Sequence, residues 1–462
     1  MLFNSTVFLF VFLPITYSVF WLLRAKNARY GWLAISGYVF YGYWKPAYCL
    51  LMAFSTLVSY LAGVGFLRWN ENRRIRWWLL VLPITIDLCL LGYFKYADFS
   101  ISILNKFLGW SGAEPFPFLH VLLPIGISFY TFHTISYIID SYLEVIKPTR
   151  NPLEFACYVS LFSQLVAGPI VRFRELEADL EKIDEGSRRG FLDSAWSFFT
   201  IGLIQKVLIA DTIAAVIDPA LEHPWTLSTA TAWMCMLGYA YQIYFDFAGY
   251  SNMAVGLGLL FGFHIPQNFN SPYRALNPAD FWRRWHMSLS RWFRDYVYLP
   301  MLGRRPAKSR IAWVTFLTMA LCGLWHGAGW TFVVWGAYHG LLLVFYNRCS
   351  SRWDALPLLI QRSATFLLVV FGLVIFRASS WGGALAVLHR MFTIQAGATI
   401  IGAGTLAAML ALAAAIAHFG PNTFELCHEW NRPTGMALAA LFILCLFVIY
   451  GANSSPFIYF QF

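Results

Sequence analysis

The run Ile311-Ala312-Trp313-Val314-Thr315-Phe316-Leu317-Thr318-Met319-Ala320-Leu321-Cys322-Gly323-Leu324-Trp325 carries no charged side chain, and His326-Gly327-Ala328-Gly329-Trp330 then leads into a second apolar stretch that ends near 347. A helix needs about 20 apolar residues to cross a hydrocarbon core of about 30 Å. At about 1.5 Å per residue, a helix entering near Ile311 has risen only about 22 Å by Trp325. His326 is therefore expected inside the membrane, where an ionisable side chain is costly and marks a functional site. Gly323, Gly327 and Gly329 around it permit close approach of a helix or ligand.

Outward from this hairpin the apolar pattern repeats. Of 462 residues, 59% are apolar, 19% aromatic and 12% charged, whereas soluble domains carry about 25% charged residues; the mean hydropathy is +0.58. These values exclude an ordinary cytosolic enzyme and call for an all-α, polytopic transmembrane helical protein. Runs near 3–23, 30–44, 46–67, 77–94, 121–139, 153–171, 191–217, 228–263, 311–325, 328–347, 358–376, 399–419 and 436–451 predict about 11 to 13 spans. The shorter ones read as re-entrant, packed with interfacial helices around a central funnel or tunnel. No repeat, linker or low-complexity tract divides the chain, so 1–462 reads as one membrane domain with 267–347 as its catalytic core segment.

The 33 Lys and Arg exceed the 23 Asp and Glu, giving a net charge of +10. Positive charge clusters at Arg68, Arg73, Arg74 and Arg76, at Arg172, Arg174, Lys182, Arg188 and Arg189, and over 283–310, all expected in the cytoplasm. Three spans fall between the first two clusters, so either 96–108 also crosses or one span is re-entrant. The first charges, Arg24, Lys26 and Arg29, follow the initial apolar run, the order of a signal anchor with its N-terminus outside. The eight cysteines form no CxxC pair and read as buried, inert thiols.

Polar chemistry concentrates between 267 and 310. Gln267-Asn268-Phe269-Asn270-Ser271-Pro272-Tyr273 is a polar, proline-bearing turn, and Asn277 or Asp280 can cap a following helix with Pro278 in its first turn. On a helical wheel Phe281, Trp282, Trp285, Leu289, Trp292, Phe293 and Tyr296 fall within an arc of about 120°, opposite Arg283, Arg284, Arg291 and Arg294. This predicts one interfacial amphipathic helix over 279–296 in the cytoplasmic membrane plane. Its arginines either bind anionic headgroups or, with His286 at the boundary between the two faces, clasp the phosphates of a bulky anionic substrate with a reactive apolar end. Coenzyme A thioesters have that shape. His133, in a hydroxyl-rich helix, and His339, without polar neighbours in sequence, receive no catalytic role. The other six histidines lie near span ends. No His and carboxylate spacing suggests a metal, and GxSxG and Walker motifs are absent.

Several stretches combine into a family pattern: Asn268-Phe269-Asn270-Ser271-Pro272-Tyr273, Phe281-Trp282-Arg283-Arg284-Trp285-His286-Met287-Ser288-Leu289-Ser290 and Gly323-Leu324-Trp325-His326-Gly327. Leu91-Gly92-Tyr93-Phe94-Lys95-Tyr96, Leu123-Pro124-Ile125-Gly126, Ala167-Gly168-Pro169-Ile170, Tyr244-Phe245-Asp246-Phe247-Ala248-Gly249-Tyr250-Ser251 and Pro456-Phe457-Ile458-Tyr459-Phe460 add to it. With these residues the chain resembles the membrane-bound O-acyltransferase family, within it the bacterial branch that O-acetylates exopolysaccharides. The resemblance implies a pair of active-site positions, here His286 and His326. It also implies an acetyl-CoA donor without a permanently bound cofactor, residence among the lipids of the bacterial inner membrane, and no nucleic-acid partner. The acceptor system it implies is a periplasmic SGNH-type acetyltransferase within a polysaccharide synthesis complex.

On this reading His326 is the base, and His286 orients the thioester or stabilises the oxyanion. Arg283, Arg284, Arg291, Arg294, Trp282, Trp285 and Asn270 form the donor-binding surface. Met301-Leu302-Gly303-Arg304-Arg305 stands where alginate-type members carry Gly-Gly-Asn, which leaves alginate and cellulose both open as the polymer. The alternatives are D-alanyl transfer to teichoic acid, lipid O-acylation, and a transporter without acyl-transfer chemistry. A transporter would favour paired inverted halves, which the sequence lacks.

Overall fold

The computed structural model describes residues 1–166, 168–185, 191–400 and 402–451. Ala167, Arg188, Arg189, Ile401 and the motif at 456–460 lie outside the described residues. Among the described residues the regular structure is helical, and extended chain pairs only in an isolated bridge between Leu227 and Ala398. This agrees with the all-α expectation.

The chain divides into two compact units, 1–195 with 254–266, and 196–253 with 267–462. The first holds α1 (Leu13–Leu22), α2 (Lys26–Gly42), α3 (Tyr48–Arg68), α4 (Arg73–Leu91), α5 (Ala97–Ser111), α6 (Ile127–Tyr142), α7 (Pro152–Ser160), α8 (Phe162–Leu165) and α9 (Phe173–Glu181). Two helices contribute residues to both units, α10 (Leu192–Ile204) and α12 (Thr229–Leu260), with α11 (Asp211–Leu221) between them in sequence. The second unit continues with α13 (Pro278–Arg284), α14 (Met287–Phe293), α15 (Leu299–Leu302), α16 (Lys308–His326), α17 (Trp330–Asp354), α18 (Leu358–Arg377), α19 (Trp381–Phe392), α20 (Ala403–His418) and α21 (Arg432–Gly451).

Among the described residues, five helical bodies are long and apolar enough to cross a membrane: Tyr48–Arg68, Arg73–Ser111, Leu192–Leu221, Leu358–Arg377 and Arg432–Gly451. The 39 residues of Arg73–Ser111 form one of them, because a π turn at Gly92–Tyr96 joins α4 to α5 without a reversal. The questioned segment 96–108 thus extends the helix of the preceding span. The span read at 153–171 is different. It splits into nine-residue α7 and four-residue α8, because Leu161 leaves the helix with ψ 109. Nine residues rise only about 13 Å, too little to cross. Of the cysteines, Cys157, Cys235, Cys322 and Cys445 are buried as expected, whereas Cys89 and Cys427 are exposed.

The hairpin of α16 and α17 positions His326, and its two helices touch backbone to backbone. A β-carbon on Gly323 would lie 2.2 Å from the Phe332 carbonyl oxygen, and one on Gly336 would lie 2.2 Å from that of Met319. Glycine at both crossing points permits this approach. Gly336→Ala is therefore expected to force the helices apart at a cost of roughly 1–3 kcal/mol. The check is the thermal unfolding midpoint in detergent, with Gly404→Ala, which meets nothing within 4 Å, as the control. Equal midpoints for parent and Gly336→Ala would contradict this packing.

Candidate active site

The single helix expected over 279–296 is broken at its centre. The Asn277 side chain caps α13 by accepting from the Asp280 N–H at 2.7 Å. The helix ends at Arg284, Trp285 is extended with ψ 129, and His286 adopts φ 42 and ψ 55 before α14 begins. A left-handed conformation costs a residue with a β-carbon roughly 1–2 kcal/mol. It persists where surrounding structure over-determines it, often at active sites. Here the neighbouring chain around 268–270 does so: the Asn270 N–H donates to the Arg284 carbonyl at 2.9 Å, and the Met287 N–H donates to the Asn268 carbonyl at 2.8 Å. The two residues outside helical geometry invalidate a wheel drawn through both helices. Even so, Trp282, Trp285, Leu289, Trp292 and Phe293 are all buried.

Asn268, itself buried, organises this break. Its Oδ1 accepts from the Ser288 N–H at 3.1 Å, from the Ser288 hydroxyl at 2.9 Å and from His286 Nδ1 at 3.1 Å. Its Nδ2 donates to Ser251 Oγ on α12 at 3.1 Å. A backbone N–H only donates, so the amide atom facing Ser288 is the oxygen, and His286 Nδ1 must then carry the proton. The lone pair of the neutral ring consequently sits on Nε2.

His286 is fully buried. Burial pushes its pKa from the ordinary 6.5 down to about 3, because a charged imidazolium is poorly solvated there. The unfolded chain binds a proton below pH 6.5 that the folded chain refuses until about 3, so stability falls as pH drops through this window. His286→Asn cannot titrate, and asparagine tolerates the left-handed conformation. Between pH 7 and pH 4 the variant should therefore lose less unfolding midpoint than the parent does; equal losses would contradict this assignment.

His326 ends α16, and its ring centroid lies 6.5 Å from that of His286. Trp325 packs against both rings, at 5.0 Å from His326 and 6.4 Å from His286. Trp335 and Phe376 meet His326 edge-on at 5.1 and 5.5 Å, while Phe247 of α12 meets His286 edge-on at 4.6 Å. A cavity of about 10 Å³ is lined by Trp285, His326, Trp335, His339 and Phe376 among others. Two imidazoles forty positions apart in sequence are thus buried side by side against Trp325, with His326 and not His286 lining the cavity, in surroundings where polar interactions are stronger than in water.

Of the expected donor-binding residues, Trp285 lines this cavity and Trp282 packs edge-on against His339 at 5.2 Å. Asn270 instead accepts from Asn422 Nδ2 at 3.1 Å. Arg284 engages both carboxylate oxygens of Asp280 at 3.0 Å, Arg294 pairs with Asp295 at 2.7 Å, and Arg291 is half-buried. Arg283 and Arg294 have exposed side chains. Asn268, Ser288 and Ser251 stood inside quoted motifs without a role, since their work depends on contacts between separate segments. His339, set aside in sequence, faces the same cavity. Its position four after Trp335, on one helical face, was the signal available.

The model of the membrane-bound O-acyltransferase family matches residues 116–380, a segment that contains Asn268, His286 and His326. The chain belongs to the membrane-bound O-acyltransferase family. A probable alginate O-acetylase of Pseudomonas putida is 38% identical over 504 residues, covering all of both chains. A peptidoglycan O-acetyltransferase of Helicobacter pylori is 36% identical over 85% of this chain and 80% of its own. A teichoic acid D-alanyltransferase of Bacillus subtilis is 32% identical over 54% of this chain and 68% of its own. This membrane-bound O-acyltransferase is therefore a membrane protein and an enzyme that transfers acyl groups to oxygen.

Proposed function

We propose that this acyltransferase takes acetyl groups from cytoplasmic acetyl-CoA and passes them across the bacterial inner membrane for O-acetylation of an exopolysaccharide, with alginate the first polymer to test. The observation that carries the proposal is the approach of His286 and His326 to 6.5 Å, with Trp325 packed against both rings. The full-length likeness to a probable alginate O-acetylase supports the choice of polymer.

In the reaction, an acceptor hydroxyl attacks the thioester carbonyl carbon and gives its proton to a base, and the intermediate collapses by breaking the C–S bond with release of the thiolate. His326 takes the hydroxyl proton. His286, with its lone pair on Nε2, accepts a hydrogen bond from an amide N–H of the pantetheine arm and so orients the thioester. In this tautomer Nε2 offers an oxyanion no donor, which favours orientation over oxyanion stabilisation as its role.

Trp282 and Trp285 wall the acyl end. Arg283, Arg284, Arg291 and Arg294 meet the coenzyme A phosphates at the cytoplasmic rim, and Asn270 shapes the adjoining loop. A funnel or tunnel within the segment 267–347 admits donor and acceptor from opposite faces, among the 11 to 13 crossings of a multi-pass domain. A periplasmic SGNH-type acetyltransferase of the polysaccharide synthesis complex receives the acetyl group.

The test uses purified protein in liposomes with radiolabelled acetyl-CoA, with and without a periplasmic fraction. Transfer of label to a macromolecular acceptor only when protein and fraction are both present is expected. Absence of label release or transfer would point to a transporter, and loss of D-alanine rather than acetyl on gene deletion would point to the D-alanyl reaction.

A further inference from the structure

Acyl transfer at His326, as proposed above, needs a hydrogen-bond donor for the carbonyl oxygen, and Asn268 holds His286 in a tautomer that offers none from Nε2. We propose that the indole N–H of Trp335 is that donor, a catalytic group that polarises the thioester carbonyl and stabilises the tetrahedral oxyanion. Trp335 is buried on α17, and its ring lies edge-on to His326 with centroids 5.1 Å apart. It lines the cavity that His326 also lines. His339 and Phe376 each pack against it at 4.9 Å and fix its plane.

The Nε1 atom of Trp335 is buried and meets no hydrogen-bond acceptor among the described residues. A buried indole N–H ordinarily finds a partner, and leaving it without one is a desolvation penalty that native structures seldom carry. Retention of such a donor beside the candidate base is explained when its acceptor arrives with the substrate. Trp282 also has a buried Nε1 without an acceptor among the described residues, but it does not line the His326 cavity.

As the acceptor oxygen bonds to the carbonyl carbon, its proton moves to His326 and the C=O electron pair moves onto oxygen, where the Trp335 N–H meets it. The pair returns as the C–S bond breaks and the thiolate leaves. Trp335 keeps its proton throughout.

The test replaces Trp335 with β-(3-benzothienyl)alanine, in which sulfur stands in place of the N–H with the ring shape kept, and makes Trp335→Phe as a second variant. Both are made in the full-length protein and measured for acetyl transfer from acetyl-CoA to the periplasmic fraction. The expected result is a fall in kcat of about 100- to 1,000-fold with KM for acetyl-CoA little changed. In the sulfur analogue the unfolding midpoint should be unchanged or higher, since a buried donor without a partner has been removed with the ring shape kept. A sulfur analogue whose midpoint and activity fall together would show a purely structural role for Trp335 and overturn the proposal, as would parental kcat in that analogue. Full activity of His326→Ala would overturn both the active-site placement and this inference. An inactive His326→Ala beside a fully active sulfur analogue would overturn the role of Trp335 alone.

Discussion

Replacing His326 with alanine is expected to slow acetyl transfer by about 10²- to 10⁴-fold while leaving the protein folded and in the membrane. The hairpin that carries His326 is held by the backbone contacts at Gly323 and Gly336, which do not involve the imidazole. What the substitution removes is the proposed proton acceptor within a ring of Trp325, Trp335 and Phe376. Initial rates with radiolabelled acetyl-CoA, beside a size-exclusion profile of the purified variant, check both halves of the expectation. Normal polymer acetylation in cells that carry only the variant would contradict it.

Substitution of Asn268 is expected to have the second largest effect, and in two separable ways. Asn268→Ala removes the acceptor of His286 Nδ1, the Ser288 N–H and the Ser288 hydroxyl at once. Each buried donor left unsatisfied costs roughly 1–3 kcal/mol, so the unfolding midpoint falls along with activity. Asn268→Asp keeps an acceptor for all three donors, but a carboxylate beside His286 favours the imidazolium and raises its pKa. Protonated Nε2 no longer accepts a hydrogen bond. Activity of Asn268→Asp is therefore lost below the raised pKa and recovers as pH rises, giving a larger deficit at pH 6 than at pH 8. A pH–rate profile parallel to that of the parent would contradict the tautomer assignment.

The helical membrane class was readable from the apolar runs because hydrocarbon leaves the backbone few other ways to satisfy its polar groups. Where helices end was not, since hydropathy reports composition while tertiary hydrogen bonds set the breaks. The continuous helix Arg73–Ser111, the short pair α7 and α8, and the turn at His286 show this in three places. Counting rise per residue pointed to a His326 enclosed by apolar structure, and its side chain is buried. The role of Asn268 did not, because it joins segments 17 to 20 positions apart. His339 read as isolated because its sequence neighbours are apolar, yet Trp282 and Trp335 close on it in space. Asp280 stands four residues before Arg284 and pairs with it, a contact that the spacing allows and that the sequence reading of Arg284 as a phosphate ligand passed over.

The claim that His286 and His326 serve one reaction centre is tested most directly by a double-mutant cycle on the chemical step. His286→Ala, His326→Ala and the double variant are compared with the parent in single-turnover acetyl transfer from acetyl-CoA. A single centre predicts that the double variant is no slower than the slower single variant. Losses that multiply, as they do at independent sites, would contradict it.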